Sequence, residues 1–409
     1  METADVLIAG AGIIGLSLAL DLANHGLRVT VLERGRAMAE SSGAAAGMLA
    51  ANDPENPPPL AELARLSLAL FPDYLALIEQ LSGRKVPLRT RATIQAINGD
   101  PAAQLSNARR LTPAEVHLIE PNLQPQYQHW LLLEEPSLDP RDLCAALPAA
   151  ALAAGVALVE NSPVISVDAA AAETGAETTS VVIQTPTTAI AATHFVNCAG
   201  AWAESPALGR LPAGHPRIAP VKGQMTTVRL HGRETLTHVI RTPEIYIVPR
   251  SDGRIAIGAT VEHAGFDKTV EPHAIAWLLK AAAAVWPPIA DAEILESWAG
   301  LRPGSPPSFP PGSIDELPLI GPTTDVSAPS CGPSAGWEAK PHTWIATRHF
   351  RNGILLAPAT AHVLSQLIRG ETLAIDLTPF APNRLHVAID RPLDRPGPLV
   401  SDNRSAAAL

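Results

Sequence analysis

Three glycines and an acid near the start of the chain are suited to one task. Gly10, Gly12 and Gly15 follow the apolar run Val6-Leu7-Ile8 and precede a helical pattern carrying Leu16, Leu18, Ala19, Leu20 and Leu22. Gly10 permits a tight turn, Gly12 lets backbone approach a pyrophosphate, and Gly15 lets helix and strand pack closely. The free N–H groups and the positive dipole end of a helix starting there attract phosphate. A second apolar run, Val29-Thr30-Val31-Leu32, ends on Glu33, 23 residues beyond Gly10. A carboxylate at that point can accept hydrogen bonds from ribose hydroxyls. Strand, glycine turn, helix, strand and terminal acid stand in register across Asp5 to Arg34. That register favours a dinucleotide site over a purely structural turn.

Other residues offer chemistry with less local support. Arg302 follows an apolar stretch and Gly300, so it can project from a strand end. Its guanidinium matches a carboxylate as a two-pronged fork, which a lysine cannot do. A surface ion pair is the competing reading. Tyr246 shares one strand face with Val248, while Ile245 and Ile247 take the other. It fits a ligand site or a core tyrosine with a satisfied hydroxyl. His349 fits a structural role better than that of a general base. Ser41, Ser42, Ala46, Gly47 and Met48 lie in a stretch of small residues. Such a stretch could lay backbone on a flat ring with hydroxyls towards phosphate or ribose, or it could open an alanine-rich helix. The sequence has no HExxH or paired-cysteine motif, and its GxSxG spacing at 332–336 lies in a low-complexity Pro/Ser/Ala/Gly stretch rather than between a strand and a helix, so nothing supports a hydrolase or a metal site.

Composition narrows the class. The 409 residues suffice for two domains, and 46% hydrophobic against 17% charged residues indicates a globular chain. A net charge of −10 without a Lys/Arg cluster argues against nucleic acid and anionic membrane as partners. No run of 18 apolar residues is present, and the start shows no basic leader. Cys144, Cys198 and Cys331 are odd in number and widely spaced. They point to a reducing compartment, expected to be the cytoplasm, and to small buried side chains.

These residues need elements to position them. Spacing predicts helices over 60–81, 112–120 (Thr112 as cap, Pro113 first, Glu115 three after the cap), 140–154, 272–285 and 354–369. Strands are predicted at 86–98, 130–133, 156–160, 164–167, 181–184, 189–196, from 221 on, at 244–250 and 254–260 around the hairpin signal Ser251-Asp252-Gly253, before 298, at 317–321 and at 344–347. This gives an α/β fold with a discontinuous nucleotide-binding domain of residues 1–85, 140–215 and 298–380. Residues 86–139 and 216–297 should form a mostly antiparallel sheet over the ligand. A mobile loop is expected at 323–343, and a tail at 393–409.

Several short motifs together carry a resemblance. They are GAGIIG at 10–15, LER at 32–34, SSGAAAGML at 41–49, PVKGQ at 220–224, YIVPR at 246–250, GATVE at 258–262, AGLRP at 299–303 and HFRNGILLAPAT at 349–360. In these the chain resembles the D-amino-acid-oxidase-type FAD oxidoreductases, and among them the glycine oxidases of thiamine biosynthesis. The resemblance implies a GR2-type Rossmann-like FAD-binding domain and noncovalent FAD. It implies cofactor contacts at Gly10, Gly12, Ile13, Ile14 and Gly15, at Glu33 and Arg34, and at Ser41, Ser42, Ala46, Gly47 and Met48. Further contacts would fall at Val164, Gly200 and Arg302, and at His349, Phe350, Arg351, Asn352, Gly353, Ile354 and Leu355. Arg302 would hold a substrate carboxylate, with Tyr246 and Arg351 nearby. The implied reaction takes a hydride from glycine, sarcosine or D-alanine to the flavin N5. It gives an imine, which from glycine becomes glyoxylate and ammonia, with O2 reduced to H2O2. A homo-oligomer, dimer or tetramer, is also implied. The alternative is a D-amino-acid dehydrogenase that passes electrons to a membrane carrier. Arg348 departs from the pattern, standing where the family has glycine close to the expected flavin face.

Overall fold

The structure is a computed structural model, and it describes residues 2–98, 108–124, 126–169, 180–232, 234–250, 252–307, 316–323 and 343–384. The expected loop 323–343 (save its two ends), the tail 393–409, Cys331 and most of the 169–179 hairpin tip lie outside these residues.

Two sheets organise the molecule. The first runs in the order Leu319–Pro322, Thr343–Thr347, Ala189–Asn197, Glu2–Ala9, Val29–Leu32, Ala157–Val159. Its inner strands pair in parallel, as strands joined by helical crossovers do. Val6 and Ile8 face a large core cluster with helices Ile13–Asn24, Leu60–Ser82, Pro140–Ala153 and Gly353–Arg369. Leu7 faces a smaller cluster on the other side with Val181 and Ile183. Burial on both faces explains why this strand reads as a continuous apolar run.

The second sheet runs Glu293–Gly304, Ala219–Arg229, Arg254–Gly258, Tyr246–Pro249, Val239–Arg241, Thr93–Ile97, His129–Leu133, Ala108–Leu111. All its pairs are antiparallel except Val239–Arg241 with Thr93–Ile97. One face packs on helix Pro272–Val285 in a core holding Ile257, Leu278 and Trp286. The opposite face carries Met225, Tyr246, Val248, Ala256 and Trp298 against Ala46 and Met48. That second contact brings the small-residue stretch over the antiparallel sheet.

The predicted helices form, and the short one carries its capping box at Thr112 and Glu115. Two strand readings change. Residues 86–98 split into Leu88–Thr90, paired with Ser137–Leu138, and Thr93–Ile97, paired with His129–Leu133, so the chain passes between sheets there. Residues 298–304, assigned by pattern to the nucleotide-binding part, instead continue the long strand Glu293–Gly304 along Ala219–Met225 of the second sheet.

Candidate active site

A cavity of about 840 Å³ lies between the ends of the parallel strands and the face of the antiparallel sheet that carries Tyr246. Its size is near the top of the roughly 300–1,000 Å³ usual for small-molecule sites.

The glycine turn forms one wall. Gly10 has φ +106°, and a Cβ there would sit 2.5 Å from the Cys198 carbonyl oxygen. A Cβ on Gly15 would sit 2.0 Å from the Gly10 carbonyl oxygen, so helix Ile13–Asn24 approaches the turn too closely for any side chain. The Ile13 N–H donates to Ser42 Oγ at 2.9 Å, tying the small-residue stretch to the helix start. That stretch is turn, not helix. Glu33 accepts from the Ala11 N–H and the Gly35 N–H, both at 2.9 Å, and still borders the cavity. Arg34 lies 3.6 Å from the Trp202 ring centre and pairs with Glu40 at 2.8 Å. Helix Gly353–Arg369 brings a second N-terminus, with Gly353 and Ile354 on the cavity wall.

Side chains of the second sheet form the opposite wall. One cross-strand row runs Arg241, Tyr246, Gly258, Met225, Trp298. Gly258 makes room for the tyrosine ring, since a Cβ there would lie 2.7 Å from it. Burial pushes the Tyr246 phenol pKa up, against the opposing pull of Arg302. Arg302, paired with Val221 further along the same strands, extends its guanidinium over Gly223, where a Cβ would meet its Nη2 at 2.3 Å. Its Nη1 donates to the Thr260 carbonyl oxygen at 3.1 Å.

Four arginines border the cavity, and their partners differ. Arg34 pairs with Glu40. Arg241 pairs with Glu135 at 2.9 Å and Asp53 at 3.6 Å. Arg351 pairs with Glu55 at 2.9 Å and Asp53 at 3.1 Å. Arg302 alone has no acidic partner among the described residues. A charge without a counter-ion at a cavity wall suits an anionic ligand group.

Every candidate site residue from the sequence borders this cavity except Gly15, which packs behind the turn, and Leu355. Leu355 is fully buried in the core, and its carbonyl accepts the Ser67 hydroxyl at 2.6 Å. Two other expectations change. Arg351 is near the cavity but neutralised by two acids. Arg348 does not face the cavity: its Nε donates to Arg217 O at 3.0 Å and its Nη1 to Leu317 O at 3.1 Å. With φ +64°, Arg348 holds the left-handed backbone that favours glycine, and its buried guanidinium bonds anchor it there. Imidazole burial depresses the His349 pKa to about 3, so His349 is neutral and packs against Thr360 Oγ1 at 3.0 Å.

The model of the family described as FAD dependent oxidoreductase matches residues 5–367. The chain belongs to this family. It is 32% identical over 400 residues to the bifunctional protein ThiO/ThiG of Synechocystis sp., covering 96% of this chain and 55% of that protein. The chain thus spans about half the length of the ThiO/ThiG relatives it matches. It is 30% identical to the glycine oxidase of Geobacillus kaustophilus, covering 93% of this chain and 97% of the relative. The crystal structure of a Geobacillus kaustophilus glycine oxidase superposes with a TM-score of 0.80 at 29% identity, covering 94% of this chain and 99% of that one.

The residues on the cavity wall fit the FAD of this family. The turn at Gly10 and Gly15 leaves no room for side chains, and the Glu33 carboxylate stands at the tip of the second strand. The sequence pattern missed Arg241, Asp53, Gly223 and Trp202 as wall residues, and Gly258 as the glycine beneath the Tyr246 ring. Gly223 and Gly258 had a usable signal, because glycine inside a strand marks close approach of another group. Arg241 and Asp53 had none, since their pairing joins distant segments.

Proposed function

We propose that this protein oxidises glycine or a similarly small amino acid, such as sarcosine or D-alanine. From glycine the products would be the imine, which hydrolyses to glyoxylate and ammonia, and H2O2. The single observation that supports it is Arg302, the one arginine on the cavity wall without an acidic partner among the described residues. The names of relatives at about 30% identity, glycine oxidase and ThiO/ThiG, point the same way and suggest a place in thiamine biosynthesis.

Arg302 would grip the carboxylate through its two-pronged fork and set the orientation of the α-carbon. Tyr246, half-buried and neutral, would close the side of the pocket and limit substrate size. Noncovalent FAD, held by the turn at Gly10–Gly15 and by Glu33, would supply the two-electron chemistry, with O2 as the final acceptor. The N-terminus of helix Gly353–Arg369 has no side-chain cap and turns a positive dipole end to that wall, which favours negative charge there. The proposal extends to a homo-oligomer, dimer or tetramer, working in the cytoplasm.

A substrate panel on purified yellow protein tests this. Peroxide should appear with at least one of glycine, sarcosine and D-alanine. Peroxide with none of them would remove the reading. Dye reduction without peroxide would favour the dehydrogenase instead.

A further inference from the structure

Arg302 is oriented by a backbone carbonyl, so its aim depends on what fixes that carbonyl. Thr260 lies just past the strand Arg254–Gly258, outside the regular ladder. Its position comes from a compact set of bonds. The Gln224 N–H donates to Thr260 Oγ1 at 2.8 Å, and the Thr260 N–H donates to the Gln224 carbonyl at 3.3 Å. The Thr260 hydroxyl donates to Glu262 Oε1, which also accepts from Gln224 Nε2 at 2.9 Å. Glu262 and Lys222 exchange backbone hydrogen bonds at 2.9 and 3.0 Å. Behind them Lys222 Nζ, on a side chain 1% exposed, lies 3.6 Å from Glu262 Oε2. Lys222 pairs with Leu301 in the ladder, one step from Val221 and Arg302, so it points away from the cavity.

The arrangement resolves a conflict. An acid in direct contact would orient the guanidinium but also cancel the charge meant for the substrate. Here the acid is one residue removed. It holds the threonine, and Arg302 meets the neutral Thr260 carbonyl rather than the acid. We propose that Thr260, backed by Glu262 and Lys222, is the positioning residue that aims Arg302 at the substrate carboxylate. The inference rests on the carboxylate role of Arg302 given above.

Thr260→Val keeps the shape and the carbonyl but removes the hydroxyl. It should retain FAD and raise KM for glycine about tenfold, with kcat changed less than about twofold. Thr260→Ser should return KM close to the native value. In an Arg302→Ala background, Thr260→Val should add less than about twofold, because coupled residues are not additive. Glu262→Gln removes only the charge facing Lys222. It should show the same coupling at smaller size, and it carries the test if Thr260→Val fails to fold. An unchanged KM in these variants, or an equal loss with and without Arg302, would overturn the inference. Near-native turnover in Arg302→Ala alone would instead overturn the carboxylate reading on which it stands.

Discussion

The two walls of the cavity offer different means of recognition. The glycine-turn wall presents mainly backbone: side chains are absent at Gly10, Gly12 and Gly15, where helix Ile13–Asn24 begins. The antiparallel-sheet wall works through side chains, with Arg302 and Tyr246 standing over Gly223 and Gly258. A backbone cradle is encoded within about thirty consecutive residues. A side-chain constellation is assembled from strands far apart in sequence, and its charge balance depends on partners further away still.

If the walls divide the work in this way, changes on each should fail differently. The largest effect is expected on the backbone side. Gly15→Leu places atoms where the Gly10 carbonyl already lies, so the purified protein should be colourless. Full flavin occupancy would show that this turn does not bind the cofactor.

On the side-chain wall the flavin should stay and turnover should go. Truncating one side of a buried charge-assisted pair costs roughly 2–5 kcal/mol. Arg302→Ala should therefore lower kcat/KM for glycine about 30- to several-thousandfold at equal flavin content. Arg302→Lys should recover only part, because the ammonium cannot form the fork. A loss smaller than about fivefold, or roughly 1 kcal/mol, would assign the carboxylate to another residue.

A smaller effect sharpens the contrast. A Cβ added at Gly223 meets only the flexible end of Arg302. Gly223→Ala should thus fold, keep its colour and raise KM for glycine about tenfold by displacing the guanidinium. Unchanged KM would mean that the position of Arg302 over this glycine is immaterial.

These differences track what was legible in the sequence. The dinucleotide turn, the capped helix at Thr112 and the apolar buried strand were readable because each rests on neighbouring residues. The split of 86–98 was not, because the two halves choose different pairing partners. Arg302 was visible as a candidate only through its surrounding motif. The acids that neutralise Arg241 and Arg351 come from residues 53, 55 and 135, and no spacing rule connects them. Arg348 shows the limit clearly. Its place in a glycine position was apparent, but the direction of its guanidinium, towards Leu317 and Arg217, was not.

The smallest expected effect concerns stability behind the walls. His349 titrates near pH 3 when folded against an ordinary 6.5. The unfolded chain binds the extra proton between those values, so this contribution is present above 6.5 and fades as pH falls towards 3. Between pH 7.5 and 5.5 the native protein should lose about 1.4 kcal/mol more than His349→Gln, read by urea unfolding. Parallel losses would mean that the imidazole is charged or exposed.

Equilibrium binding of acetate tests the central claim most directly, because acetate carries the carboxylate and nothing to oxidise. With Arg302 as its anchor, acetate should perturb the flavin spectrum and compete with glycine in the native protein. Its affinity should fall at least about 30-fold in Arg302→Ala at equal flavin content. Equal acetate affinity in the two proteins would contradict the assignment of the carboxylate to Arg302.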